Sequence, residues 1–273
     1  MYDSHCHLDF PELAGALDEH LRAARACGVE RWHVPGCGPS QWGQLADVRG
    51  REGVTVSVGV HPWWVDEVEC PESDDPRAQA RALDEAMQRL ATELRAQGAV
   101  ALGECGLDRP KALQGGPSRE RQRVVFEAQL ALARELELPV VLHVVGEHGA
   151  TLDLLARVGP LPRGGVVHGY SGSVELVDRY VDHGLFIGFG ARLTGTGARR
   201  ARESLQRVPR DHLLLETDAP DQAPAVEGCF ERGRRGTPAD LVVVVEEAAR
   251  QLRVSTTELA EDTARNARRL FGV

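Results

Sequence analysis

The sequence predicts an α/β fold, a (β/α)8 barrel of the TIM type with extra helices at its C-terminal end. Three observations carry this. Short apolar runs recur eight times along the 273 residues, segments of helical periodicity lie between them, and the runs are continuously apolar instead of alternating. Continuous apolar strands are buried on both faces, as in a parallel sheet covered by helices. Strand then helix, repeated eight times, is the barrel pattern.

The runs in order are MYDSH (1–5), RWHVPG (31–36), VTVSVGV (54–60), AVALGE (99–104), PVVLHV (139–144), GVVHG (165–169), LFIGFG (185–190) and LLLETD (213–218). Helical periodicity is clearest in 12–28, 76–98, 119–138 and 197–208. Pro139 ends one helix and opens a strand, because proline cannot continue a helix from its interior. The tail reads as two further helices, 237–252 and 255–271, each opened by a Thr or Ser suited to capping. No repeat, low-complexity tract or long linker divides the chain, so 1–273 reads as a single barrel domain. The two longest irregular stretches, 105–118 and 219–236, each follow a strand end, which in a barrel is the active-site face.

Composition narrows the function. The first residues offer neither a basic start nor a long apolar run, and nowhere do eighteen apolar residues follow one another, so a cytoplasmic protein without a membrane span is expected. Six cysteines (Cys6, Cys27, Cys37, Cys70, Cys105, Cys229) show no CxxC pairing and read as reduced thiols. A formal charge of −9 opposes broad binding to duplex nucleic acid while permitting a small local site. Lys111 is the sole lysine, and the arginine cluster RGRR (232–235) offers the planar forks that suit phosphate.

Polar residues fall at one structural position. His5 and His7 close the first strand, His61 follows the third, Glu104 closes the fourth, and His143 ends the fifth, His168 the sixth and Asp218 the eighth. On a strand, positions i and i+2 share a face, so His5 and His7 are expected to point the same way with Cys6 opposed. A single histidine after an apolar strand is ordinarily a hydrogen-bonded core group. Seven metal-type residues recurring at strand ends point instead to a site. His20, His183 and His212 have no such partners and read as surface, and His33 lies inside a strand. The set exceeds what one tetrahedral zinc uses and fits two divalent ions sharing a carboxylate. Imidazole favours zinc, manganese, cobalt or nickel over an oxygen-bound magnesium.

The runs DSHCHLDF (3–10), VGVHPWW (58–64), ALGECGLD (101–108), PVVLH (139–143), VVHGYSGS (166–173), LLLETDAP (213–220) and TARNARRLF (263–271) together resemble the motif set of the TatD-type metal-dependent deoxyribonucleases of the amidohydrolase superfamily. The resemblance spans almost the whole chain, and GECGLD with ETDAP is its most specific part. It implies a binuclear hydrolase in which His5, His7 and Asp218 hold one metal, His143 and His168 the other, and Glu104 bridges them. His61 would lie just outside the ligands or near the scissile phosphate. Asp218, at the end of the last strand, is placed to serve as ligand and proton acceptor together. The implied activity is 3′-to-5′ hydrolysis of single-stranded or damaged DNA ends. Trp63 and Trp64 would be available to stack on bases, with Arg234 and Arg235 as outer phosphate contacts.

Three departures bear on the substrate. Where the family carries Ser-Arg-Asp-Ala after the fifth-strand histidine, this chain reads VVGEHGA (144–150), losing a basic residue and gaining Glu147 and His148. His168 is followed by Gly-Tyr instead of Cys-Phe, and Asp221-Gln222 replaces Tyr-Leu. The same ligand set also suits an ester or amide hydrolase, aminoacyl-tRNA included, or a silent subunit docked on a protein partner.

Overall fold

A computed structural model describes residues 1–69, 75–225, 227–231 and 233–273; Cys70 and Arg232 of the sequence reading fall outside these. The eight strands are β1 Tyr2–Asp3, β2 Arg31–Gly36, β3 Val54–Val58, β4 Ala101–Asp108, β5 Val140–Val145, β6 Gly165–Val167, β7 Leu185–Phe189 and β8 Leu213–Leu215. Each pairs in parallel with the next, in sequence order. Between β8 and β1 the barrel is drawn together by Ser4, whose amide and hydroxyl both donate to the Leu215 carbonyl (3.2 and 3.0 Å), and by the Asp218 amide donating to the His5 carbonyl (2.9 Å).

The expected outer helices form at Pro76–Gln97, Arg119–Glu135 and Arg199–Arg207, and the two tail helices at Leu241–Leu252 and Thr256–Phe271. Ser255 caps as the sequence indicates, its Oγ accepting from the Glu258 amide (3.1 Å), whereas Thr237 opens only the short 3-10 turn Pro238–Asp240 that leads into Leu241–Leu252, its amide donating to Asp240 (2.8 Å). The last helix packs Ala264, Ala267, Leu270 and Phe271 against Tyr2, Ala101, Val141, Val166, Phe186 and Leu214, covering the barrel near the amino ends of its strands. There the His33 ring stacks on Phe271 with centroids 3.9 Å apart, and its nitrogens meet Thr55 and Ser57 hydroxyls at 3.0 Å. It is a satisfied core histidine.

Three expectations are corrected. β1 ends at Asp3, so His5 and His7 do not share a strand face; they lie on the segment beyond it, pinned by the Cys6 amide to the His33 carbonyl (3.0 Å) and the His7 amide to the Ala219 carbonyl (2.8 Å). The helix expected over 12–28 splits into Pro11–Ala14 and Leu17–Ala26 around Gly15. The stretch 105–118 is not wholly irregular, because β4 continues to Asp108 and Arg109–Leu113 is helical, capped by Asp108 accepting from the Lys111 amide (2.8 Å). Helix His148–Val158 had no place among the expected segments.

Candidate metal centre

β4 carries a bulge at the point the site needs it. Gly103 pairs with Val141 and Cys105 with Leu142, so Glu104 is skipped in the register and its side chain is turned into the barrel mouth. A bulge re-aims one side chain while the flanking strand stays hydrogen-bonded. Gly106, at φ +150°, completes the bend; a Cβ there would lie 1.9 Å from the His143 carbonyl oxygen.

The two carboxylate oxygens of Glu104 face different partners. Oε2 looks toward His5 Nε2 (3.3 Å) and His7 Nε2 (3.7 Å), which also face Asp218 Oδ1 at 3.7 and 3.5 Å. Oε1 looks toward His168 Nε2 (2.8 Å), His143 Nδ1 (2.9 Å) and His61 Nε2 (3.4 Å). All seven residues picked out by the sequence therefore converge. His61 joins the group around Glu104 and His143.

The residues fit metal ions. Three overlapping sets, His5 with His7 and Glu104, His5 with His168 and Asp218, and His61 with Glu104 and His143, each place their donor atoms within 4.8 Å of one another. Within them His5 Nε2 and Glu104 Oε2 are fully buried without a hydrogen bond. Buried polar atoms are ordinarily paired, so donors left bare and aimed at one another are ligands in waiting. Burial alone would raise the Glu104 carboxyl, but the His168, His61 and His5 imidazoles outweigh it and hold it well below the usual carboxylate range. Asp218 behaves alike: burial is opposed by His7, His168 and His5, and the carboxyl stays ionised.

Around this centre lies a supporting layer that sequence reasoning passed over. Asp108, the last residue of GECGLD, places Oδ2 3.3 Å from His143 Nε2 and accepts from the Trp63 indole (2.8 Å). Glu216, two residues before Asp218, reaches His168 Nδ1 at 3.5 Å and accepts from the Gly169 amide at 2.5 Å. It fits because position 188 is glycine, where a Cβ would stand 2.5 Å from Glu216 Oε2. Cys37 sets its thiol 3.8 Å from His7 Nδ1, and burial pushes that thiol up to about 12, so it stays protonated. Second partners of this kind fix the ring orientation of ligating histidines. Asp108 and Glu216 sit inside the most specific motifs, which was the available signal; Cys37 had none.

The expected substrate contacts divide. Trp63 stands at the rim, 43 % exposed, with Lys111 Nζ 4.7 Å from its ring centre, whereas Trp64 is partly buried against the core. Arg234 is occupied by the Pro224 carbonyl and by Asp240 (3.4 Å), and Arg235 by Glu12 (3.4 Å) and Asp221 (3.6 Å). Gln222 of the altered Asp221-Gln222 pair donates to Asp218 Oδ2 (2.6 Å), leaving Oδ1 to face the histidines. Glu147 is buried and paired with Arg119 (2.5 Å), and His148 Nδ1 meets the Tyr180 hydroxyl (2.9 Å), so this departure builds a helix start and not a wall of the centre. Cys6 and Cys105 are buried thiols raised by burial, and no disulfide forms among the described residues.

A parallel eight-stranded barrel with imidazoles and carboxylates converging at the carboxyl ends of its strands defines the class of metal-dependent barrel hydrolases. Residues 2–272 match the family described as TatD related DNase, and the chain belongs to that family. It is 33 % identical over 272 residues to the uncharacterized metal-dependent hydrolase YjjV of Escherichia coli K12, covering 99 % of this chain and 97 % of that one. The crystal structure of YjjV superposes with a TM-score of 0.83 over 100 % of this chain and 98 % of the other. The 3′-5′ ssDNA/RNA exonuclease TatD of Erwinia tasmaniensis is 32 % identical over 276 residues, the full length of both. This chain is accordingly a metal-dependent hydrolase. Among the described residues no helix is long and apolar enough to cross a membrane.

Proposed function

We propose that residues 1–273 form one hydrolase domain that holds two divalent metal ions and removes nucleotides from the 3′ ends of single-stranded DNA or RNA, in the cytoplasm. The observation that carries this reading is the division of Glu104, one oxygen toward His5 and His7 and the other toward His61, His143 and His168. Such a carboxylate suits a bridge between two ions. His5, His7 and Asp218 would hold one, His143 and His168 the other, and His61 would stand beside the scissile phosphate.

Divalent ions bound there supply Lewis-acid charge, making a water acidic enough to yield its proton near neutral pH and offsetting charge on the phosphoryl oxygens. The chain does the rest. Asp218 Oδ1 accepts the proton of the attacking water while Gln222 anchors Oδ2, so the carboxylate keeps one orientation. Glu216 and Asp108 hold the His168 and His143 rings. Trp63 offers at the rim an aromatic ring of the kind that stacks on unpaired bases. The free cysteines agree with a reducing compartment.

The test is metal analysis of the purified protein together with digestion of 3′- and 5′-labelled single strands, duplexes and an aminoacyl-ester panel. Shortening of single strands from the 3′ end, abolished by chelator, is the expected result. Turnover of the ester panel alone would transfer the same centre to carbonyl chemistry.

A further inference from the structure

A groove of about 910 Å³ opens beside the centre, between the loops that follow β6, β7 and β8. Its inner wall includes Gln222, the residue hydrogen-bonded to Asp218, so groove and centre share a side chain. The arginines along it are not equivalent. Arg234 and Arg235 are occupied by the partners described above, whereas Arg192 and Arg200, both exposed, form no ion pair or hydrogen bond among the described residues; Arg200 acts on Glu175 only at a distance. Asp221 and Glu231 also line the groove, and Asp221 is matched by Arg235. Two uncommitted guanidinium groups thus line one groove of a chain whose net charge is −9.

The same groove presents Phe230, 56 % exposed. Its ring is seated: position 195 is glycine, and a Cβ there would lie 2.5 Å from Phe230 Cε2. The loops on either side are tied by the Thr196 amide to the Gly228 carbonyl (2.8 Å) and the Ala225 amide to Thr194 Oγ1 (2.7 Å). An exposed aromatic on a fixed seat, flanked by free arginines, is the chemistry that holds an unpaired polynucleotide, with bases on the ring and phosphates on the guanidinium forks. An apolar anchor of a protein partner would leave the charges of Arg192 and Arg200 unmatched.

We propose that this groove binds the body of a single-stranded nucleic acid whose 3′ end lies at the metal centre, with Phe230 as stacking platform and Arg192 and Arg200 as phosphate contacts. The proposal rests on the exonuclease reading for the position of the end, and places on the loops after β6, β7 and β8 the phosphate contacts that the VVGEHGA departure removes after β5.

The experiment uses metal-loaded protein and a fluorescent, phosphorothioate-linked strand of about 12 nucleotides, which resists hydrolysis and spans a typical site. Binding is read by anisotropy across a salt series. Phe230→Ala should weaken binding at least about fivefold, and the Arg192→Ala, Arg200→Ala double variant about tenfold, lowering the slope of log affinity against log salt by about 1.4 for two lost phosphate contacts. All three side chains are exposed, and circular dichroism checks that the variants fold. Binding and salt slope like wild type in both variants overturn the groove while leaving the exonuclease reading intact if ordinary strands are still digested. Weakened binding in both, with no digestion of ordinary strands by wild type, supports the groove and overturns the exonuclease reading. Displacement of the strand by polyglutamate at equal charge concentration would also overturn the groove as a nucleic-acid site.

Discussion

Glu104 Oε2 and His5 Nε2 lie 3.3 Å apart, both buried and both without a hydrogen bond. Two bare polar atoms facing each other across so small a gap are costly unless something charged is shared between them. We therefore expect two divalent ions per chain by elemental analysis of metal-saturated protein. Glu104→Gln keeps the shape and removes the charge that both sides use. It should lower activity by more than the roughly 10–100-fold that losing an outer hydrogen-bond partner costs, and reduce the bound metal. Full activity in excess chelator would refute the metal assignment.

Glu216 is the outer partner to test. Glu216→Gln preserves an acceptor for the Gly169 amide but withdraws the negative charge from His168 Nδ1. Metal affinity should fall about 10–100-fold with the fold unchanged. A competition titration against a metal-binding dye, alongside a thermal melt, separates this from simple destabilisation. Equal affinity would make Glu216 a structural carboxylate only.

The pattern of what the sequence disclosed has a physical basis. Parallel strands buried on both faces write themselves as apolar runs, so RWHVPG was legible from end to end as Arg31–Gly36. His5, His7, His61, His168 and Asp218 were legible because each stands just past a strand end, whereas Glu104 and His143, expected to end their strands, lie inside β4 and β5, which run on to Asp108 and Val145. What stayed hidden depends on pairing across the barrel. β1 is cut to two residues by its neighbours, and the bulge that aims Glu104 exists only in the register of β4 against β5. Helix His148–Val158 was hidden by the EHGA at its start, whose Glu147 and His148 take their side-chain partners, Arg119 and Tyr180, from distant parts of the chain. Cys37 meets His7 only once β2 lies beside the first segment.

The two adjacent tryptophans should separate in experiment. Trp63→Ala removes the exposed ring at the rim and should weaken single-strand binding by on the order of 1–3 kcal/mol while leaving bound metal unchanged. Trp64→Ala opens space against the core and should instead lower stability by roughly 2–3 kcal/mol, below the loss for a fully buried tryptophan. Strand titrations and urea unfolding of both variants check this. Unchanged strand affinity for Trp63→Ala would leave that ring as a clamp on Asp108 alone.

Charge reversal at Glu147 will not mend the missing basic residue. The side chain is buried and paired with Arg119, so Glu147→Arg would confront one guanidinium with another. Stability should fall by about 1–3 kcal/mol, the range for leaving a buried charged group without its partner. Hydrolysis per folded molecule should be unaltered. A lower Michaelis constant for DNA ends in Glu147→Arg, rising again with salt, would instead put this segment back at the substrate.

His148 supplies a pH signature independent of the metal ligands. Its Nδ1 meets the Tyr180 hydroxyl, its Nε2 is buried without a partner, and burial lowers its pKa from 6.5 to about 4. In the folded chain the ring therefore stays neutral down to about pH 4, while in the unfolded chain it takes up a proton as the pH falls below about 6.5. Between those values the unfolded state binds more protons, so stability must decline as the pH is lowered through that window. Above it neither state is protonated, and below it both are, so the effect stops at each edge. The total is at most about 3 kcal/mol. His148→Gln has no proton to take up and should lack this component, so wild type should lose stability relative to the variant as pH falls from 6.5 to 4. Urea unfolding of both proteins at matched pH values isolates the difference, because all other titrating groups are common to the pair. Curves that run parallel across the window would show that His148 is reached by solvent and carries no pH-dependent strain.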